Sequence, residues 1–207
     1  MLPEFMTSVS YAIVFTITAG VVIGLRNWRS LSAPLRYLHK YLIFALLSEI
    51  AFRNFGGYTG YNLFMIPIYA VLELIILSYF FYHHVLQRNK IILLGTLVGL
   101  ILILADTFFL SELFVREKFQ TLSIVIKDLV LMGCCLKYYH SWLQGEVEDR
   151  DWFATAGVML FFFTINTILF ASINFLVNET QSIIIWFWLM NNVVMVCYYS
   201  FLTYKLW

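Results

Sequence analysis

Apolar and polar positions along the chain fall into long blocks, without the strict alternation of a half-buried strand or the one-sided stripe of a soluble helix. Seven apolar segments, at 8–25, 35–54, 62–84, 90–110, 119–141, 152–175 and 182–204, are divided by short polar connections. Most approach the roughly 20 residues that an α-helix needs to cross a bilayer. The first is the shortest, and the fourth, with IILLGTLVGLILILA at 91–105, is the most uniformly aliphatic. The pattern predicts an all-α polytopic membrane bundle of seven transmembrane helices, forming a single transmembrane domain over residues 1–207.

Composition strengthens this reading. Hydrophobic residues make up 62% of the chain and charged residues 12%, values outside the range of soluble domains. No basic stretch or small-residue cleavage site precedes the first segment, so Tyr11 to Leu25 is expected to remain as a helix instead of leaving as a signal peptide. Basic residues set the orientation. Arg26, Arg29, Arg36 and Lys40 surround the first connection, Arg88 and Lys90 the third, Lys137 and Arg150 the fifth, and Lys205 lies near the end. Arg53 lies beside the second connection, and Arg116 and Lys118 in the fourth. This bias predicts an outside N-terminus and a cytoplasmic C-terminus, in a multi-pass protein of the bacterial inner membrane. The acidic EVEDRD at 146–151 does not reverse it, because carboxylates count little in the rule.

Polar residues inside the apolar segments carry the candidate chemistry. Lys127 and Asp128 are adjacent in LSIVIKDLVLMGCC, some eight or nine residues from the outer end of the fifth segment. A charge at that depth costs several kcal/mol, so each needs a partner. Adjacent helical residues project about 100° apart, which argues against their pairing with each other. Other segments bring Glu49 and Arg53, Glu73, Asp106, Asn166, Ser172 and Asn174, and the pair Asn191 and Asn192. Such groups turn toward one another or toward water, which predicts an outward-biased polar chamber. In it Asp128 would meet Arg53, and Lys127 would meet Glu73 or Glu49. The competing expectation is that these side chains only hold helices together.

His39, His83, His84 and His140 fall at predicted cytoplasmic ends of helices, with Cys134 and Cys135 nearby. Imidazole and thiolate ligate zinc and other transition metals, yet none of these spacings has ligand specificity, so the four histidines are read as interfacial residues. FYHHVLQ at 81–87 and YYHSWLQ at 138–144 are similar in the same sense, as aromatic and histidine-rich ends of two helices. Cys134, Cys135 and Cys197 form no disulfide framework and are expected to be buried thiols.

Several classes drop out. No phosphate loop, Rossmann glycine pattern, H-E-x-x-H or G-x-S-x-G elbow is present, and FGGYTG at 55–60 is expected to be an outer loop. No dense basic run suits nucleic acid, and no cofactor is specified. The only lysine near the end of the last segment is Lys205, which does not suit a rhodopsin, and that segment lacks the histidines of the alkaline ceramidase family. Seven short-looped helices, with Asn191–Asn192 in the last, resemble the membrane input regions of bacterial sensors and uncharacterised small seven-helix bacterial proteins. The resemblance implies a ligand-sensing or protein-interacting membrane component. Its expected partners are membrane lipids, a small polar ligand, and a membrane or cytoplasmic protein. The alternatives are a small-solute or proton-coupled transporter and an intramembrane lipid-modifying enzyme.

Overall fold

Apolar blocks of this length leave the backbone no water to bond with, and the α-helix answers by satisfying each amide within its own segment. The computed structural model describes the backbone of residues 2–59, 64–110, 121–147, 151–176 and 181–207. It describes the side chains of 8–55, 64–109, 121–147, 151–173 and 185–207. Among them lie α1 (Leu2–Arg26), α2 (Ala33–Thr59), α3 (Met65–Phe80), α4 (Lys90–Ala105), α5 (Leu122–Leu143), α6 (Phe153–Leu176) and α7 (Gln181–Leu206). The protein is therefore an all-α, multi-pass membrane protein. Among the described residues, five stretches are long and apolar enough to cross a bilayer: Ser8–Arg26, Met65–Val85, Lys90–Phe109, Phe153–Ile173 and Ile185–Leu206. The two remaining helices are comparably long but more polar. α2 carries Arg36, Lys40, Glu49 and Arg53, and α5 carries Lys127, Asp128 and Lys137.

One expectation about local structure needs correction. FGGYTG was expected to be a loop, but α2 continues through Phe55 to Thr59, its glycines being tolerated in the last turns of a helix 27 residues long. Pro67 lies in the first turn of α3, where the missing amide has no helical partner to lose, so the helix runs on unbroken. α3 and α4 each pass into a π-wound turn, over Phe81–Val85 and Asp106–Leu110.

The two similar sequence stretches end their helices alike. After α3, Gln87 and Arg88 adopt φ of 47° and 65°, and after α5, Gly145 adopts 72°. At the second site the Glu146 amide donates to the Ser141 carbonyl at 2.9 Å and the Gly145 amide to Trp142 at 3.1 Å. This pair of bonds is a Schellman cap, which needs a left-handed residue and is cheapest with glycine. Asn89 then caps α4, its Oδ1 accepting from the Ile91 amide at 3.0 Å.

Contacts cluster in two compact units, one of Met1–Ala51 with Phe175–Trp207 and the other of Phe52–Asn174. In the first, α1 packs along α7. Ile13, Ile17, Gly20 and Gly24 form its buried stripe, and the Thr203 hydroxyl donates to the Thr16 carbonyl at 3.2 Å. In the second, α3, α4 and α5 pack on one another. Leu74, Leu77, Phe80, Ile103, Leu131 and Tyr138 are buried there.

Candidate functional site

The buried face of α5 repeats every three or four residues: Ser123 and Ile124, Lys127 and Asp128, Leu131, Cys134 and Cys135, Tyr138, Ser141. An apolar stripe this wide spans 100° or more, so two adjacent residues fit within it. Lys127 and Asp128 consequently both point inward, at 2% and 0% exposure. Lys127 lies five residues into α5, roughly 7–8 Å along the helix from its first residue.

The ammonium of Lys127 is 2.6 Å from Glu73 Oε2 of α3 and 2.8 Å from Asp128 Oδ1. The second contact corrects the expectation that neighbouring residues on a helix would not pair. Lysine's long stem lets the charge bend back across the 100° separation, but the contact is ionic and poorly aligned, because Oδ1 gains no hydrogen bond of acceptable geometry. The other carboxylate oxygens are well served. Asn166 Nδ2 of α6 donates to Asp128 Oδ2 at 2.6 Å, and the Tyr69 hydroxyl donates to Glu73 Oε1 at 2.8 Å. Two aromatic faces complete the surroundings of the cation, with Lys127 Nζ 5.8 Å from the Tyr69 ring centre and 5.6 Å from that of Phe163. Both distances are within cation–π range. The cluster thus joins α3, α5 and α6, and its charged members touch one another.

The expected Lys127–Glu73 pair is present, while the partners seen at Asp128 are Lys127 and Asn166 in place of the anticipated Arg53. Arg53 is exposed and Glu49 half-buried on α2. Asp106 is buried where α4 passes into its π-wound turn. Asn191 is buried on α7, with its amide 3.6 Å from the sulfur of Met195, and Asn192 is half-buried. The side chain of Asn174 lies outside the described residues. Tyr69 and Phe163 were missed by sequence reasoning. Helical spacing could have found both, since Tyr69 is one turn before Glu73 and Phe163 one turn before Asn166.

The histidines occupy separate settings. His39 is buried, with Nε2 donating to the Val21 carbonyl at 3.0 Å and its ring edge-on to Trp28 at 5.4 Å. A carbonyl can only accept, which assigns the proton to Nε2. A Cβ at Gly24 would collide with this ring, so Gly24 is what admits His39 against α1, while Gly20 admits Thr203 and Leu42; the G-x-x-x-G spacing of the two is another missed signal. His83 stacks obliquely on Tyr79 at 4.2 Å, His84 lies beside Phe80, and His140 is exposed. Among the described residues no three His, Cys, Asp or Glu side chains converge to hold a metal ion. Cys134 and Cys135 are buried as expected, whereas Cys197 is exposed on α7, a correction that reflects a helix surface turned away from the protein interior.

No protein-family model, curated protein or solved structure matches this chain.

Proposed function

We propose that the chain is a seven-pass component of the bacterial inner membrane, with its N-terminus outside and C-terminus in the cytoplasm, that senses a small polar ligand or a protein partner. The Glu73–Lys127–Asp128–Asn166 cluster is its moving joint, and a ligand acts by opening it into the outward chamber. One observation carries this reading: a single buried ammonium serves carboxylates from two helices, at 2.6 and 2.8 Å. Apolar side chains of similar volume would hold three helices together at no greater cost, so retention of buried ions is better explained by specificity or switching than by stability. A shared lysine also has two discrete alternatives, held by either carboxylate, which is the kind of bistable element that a signal can bias. The sensing reading stands ahead of an enzyme because the motifs tested supply no nucleophile or activated water. It stands ahead of a carrier because α3, α5 and α6 are continuous through the cluster, without the broken helices many carriers use.

The test compares wild type with Asp128→Asn in lipid nanodiscs for binding of small polar and zwitterionic ligands and of native membrane or cytoplasmic partners. Loss or weakening of one such interaction in the variant supports the reading. Unchanged binding throughout, with the fold intact, contradicts it.

A further inference from the structure

The connection between α1 and α2 borders an open cavity of about 680 Å³, lined by Leu25, Arg26, Asn27, Trp28, Arg29, Ser30, His39, Lys40 and Ile43. Every charged side chain in that lining is basic, and the structure pairs none of Arg26, Arg29 and Lys40 with a carboxylate among the described residues. No acidic side chain lines this cationic cavity, whose lining residue Asn27 also donates to the Trp207 oxygen at 3.3 Å, and its size is within the roughly 300–1,000 Å³ of small-molecule sites, so an anion is its electrostatic complement.

A second observation points the same way. His39 is 1% exposed and lines the cavity, yet its Nδ1 has no hydrogen-bond partner. Its orientation is fixed from three sides, by the Nε2 bond to Val21, by Trp28, and by the close approach of Gly24. An orphaned ring nitrogen held rigidly is costly unless something bonds to it. With Nε2 already donating, Nδ1 is left as an unpartnered acceptor, which a hydroxyl of hydrogen phosphate or of a glycerol headgroup satisfies while the phosphate oxygens meet the three basic side chains. Trp28 is itself braced by Arg36, whose guanidinium carbon is 5.6 Å from the ring centre and whose Nη2 donates to the Arg29 carbonyl at 3.3 Å. The far side of the loop is tied down by Asn27 Nδ2, which donates to the Leu206 carbonyl at 3.1 Å.

The location defines the ligand further. The cavity lining includes Arg26, where the candidate span Ser8–Arg26 ends, a position suited to the level of lipid headgroups. We infer that this cavity is a binding site for a phosphate group, with Arg26, Arg29, Lys40 and His39 as its ligating side chains. The phosphate belongs to an anionic phospholipid headgroup or to a soluble phosphate, and this site is separate from the Lys127 cluster and independent of its function.

The full chain is purified in zwitterionic detergent and titrated in two arms, one with phosphatidylglycerol and the other with inorganic phosphate, with phosphatidylcholine as control. Bound lipid is counted by native mass spectrometry and phosphate binding is followed by ³¹P NMR. Arg29→Gln/Lys40→Gln removes two exposed charges and leaves the buried His39 in place. At about a fivefold affinity change per basic residue, the double variant binds roughly thirtyfold more weakly. Phosphatidylglycerol binding that the variant loses identifies the lipid as the source, and variant-sensitive binding of inorganic phosphate identifies a soluble one. Equal retention of phosphatidylglycerol by both proteins, with no phosphate binding by either, overturns the inference. Wild-type chain with ¹⁵N-labelled histidine gives a check free of any folding defect: ³¹P–¹⁵N dipolar contact is expected at His39, and its absence in the phosphatidylglycerol-saturated and phosphate-saturated samples also overturns it.

Discussion

Replacing Lys127 with methionine removes the charge while keeping most of the stem, and the structure sets the size of the effect. At an effective dielectric of about 20, two unit charges less than 3 Å apart attract by roughly 6 kcal/mol, and Lys127 makes two such contacts. Desolvation of the three ions, at several kcal/mol each, offsets most of that attraction, so the intact cluster contributes little net stability. The single variant is different. It loses both contacts while two desolvated carboxylates stay buried near each other, and breaking a buried pair in this way costs about 3–5 kcal/mol. Glu73→Gln/Lys127→Met/Asp128→Asn removes every charge and should recover most of the loss. Reversible unfolding in bicelles, followed by steric trapping, measures each variant. A Lys127→Met effect below about 1 kcal/mol, or strict additivity of the three substitutions, would refute the claim that these charges depend on one another.

Other outcomes follow from separate features. Asn166→Leu leaves Asp128 Oδ2 without its 2.6 Å donor and should destabilise by about 1–3 kcal/mol in the same unfolding assay, with the loss absent in an Asp128→Asn background. Gly24→Ala drives a methyl group into the His39 ring and should cost about 1–3 kcal/mol, whereas Gly133→Ala, with open space around its Cβ in α5, should be neutral or stabilise by up to about 1 kcal/mol. Glu146 is held below the usual carboxylate range, first by the hydrogen bond from Ser141 at 2.8 Å and then by Lys137 at 3.6 Å. A depressed folded-state value means that this contribution is present above the ordinary glutamate range and is lost as pH falls through the folded value. Protection factors at the end of α5, corrected for the intrinsic pH dependence of amide exchange, should therefore fall on acidification in wild type, and Glu146→Gln should abolish that added pH dependence.

Helix positions were legible because long apolar blocks announce themselves by length: α5 begins and ends within a few residues of the segment predicted at 119–141. The extension of α2 through FGGYT was not, because glycine weakens a helix without forbidding it, and the rest of the segment decides. Within the cluster, Lys127–Glu73 was readable from depth and cost of charge. The Lys127–Asp128 contact was hidden by reasoning from Cβ directions alone, which undervalues a flexible four-carbon stem. Asn166 was recognised as polar and inward, but its choice of Asp128 depends on the relative rotation of α5 and α6, which no local pattern in the sequence specifies. His39 was placed correctly at a helix end and still misread as an ordinary interfacial residue. Its burial depends on Gly24, far away in sequence yet visible as half of a G-x-x-x-G pair.

The central claim is that the charge cluster positions α3 against α6 and can exchange between arrangements. Spin labels at Leu72→Cys and Phe161→Cys, both exposed positions on those helices, report it directly once exposed Cys197 is replaced by serine. The distance distribution in lipid nanodiscs should be a single narrow peak for the otherwise native chain and should shift or split when Glu73→Gln releases one side of Lys127. Identical distributions with and without Glu73→Gln, in a folded protein, would contradict the account and leave the buried charges as static packing.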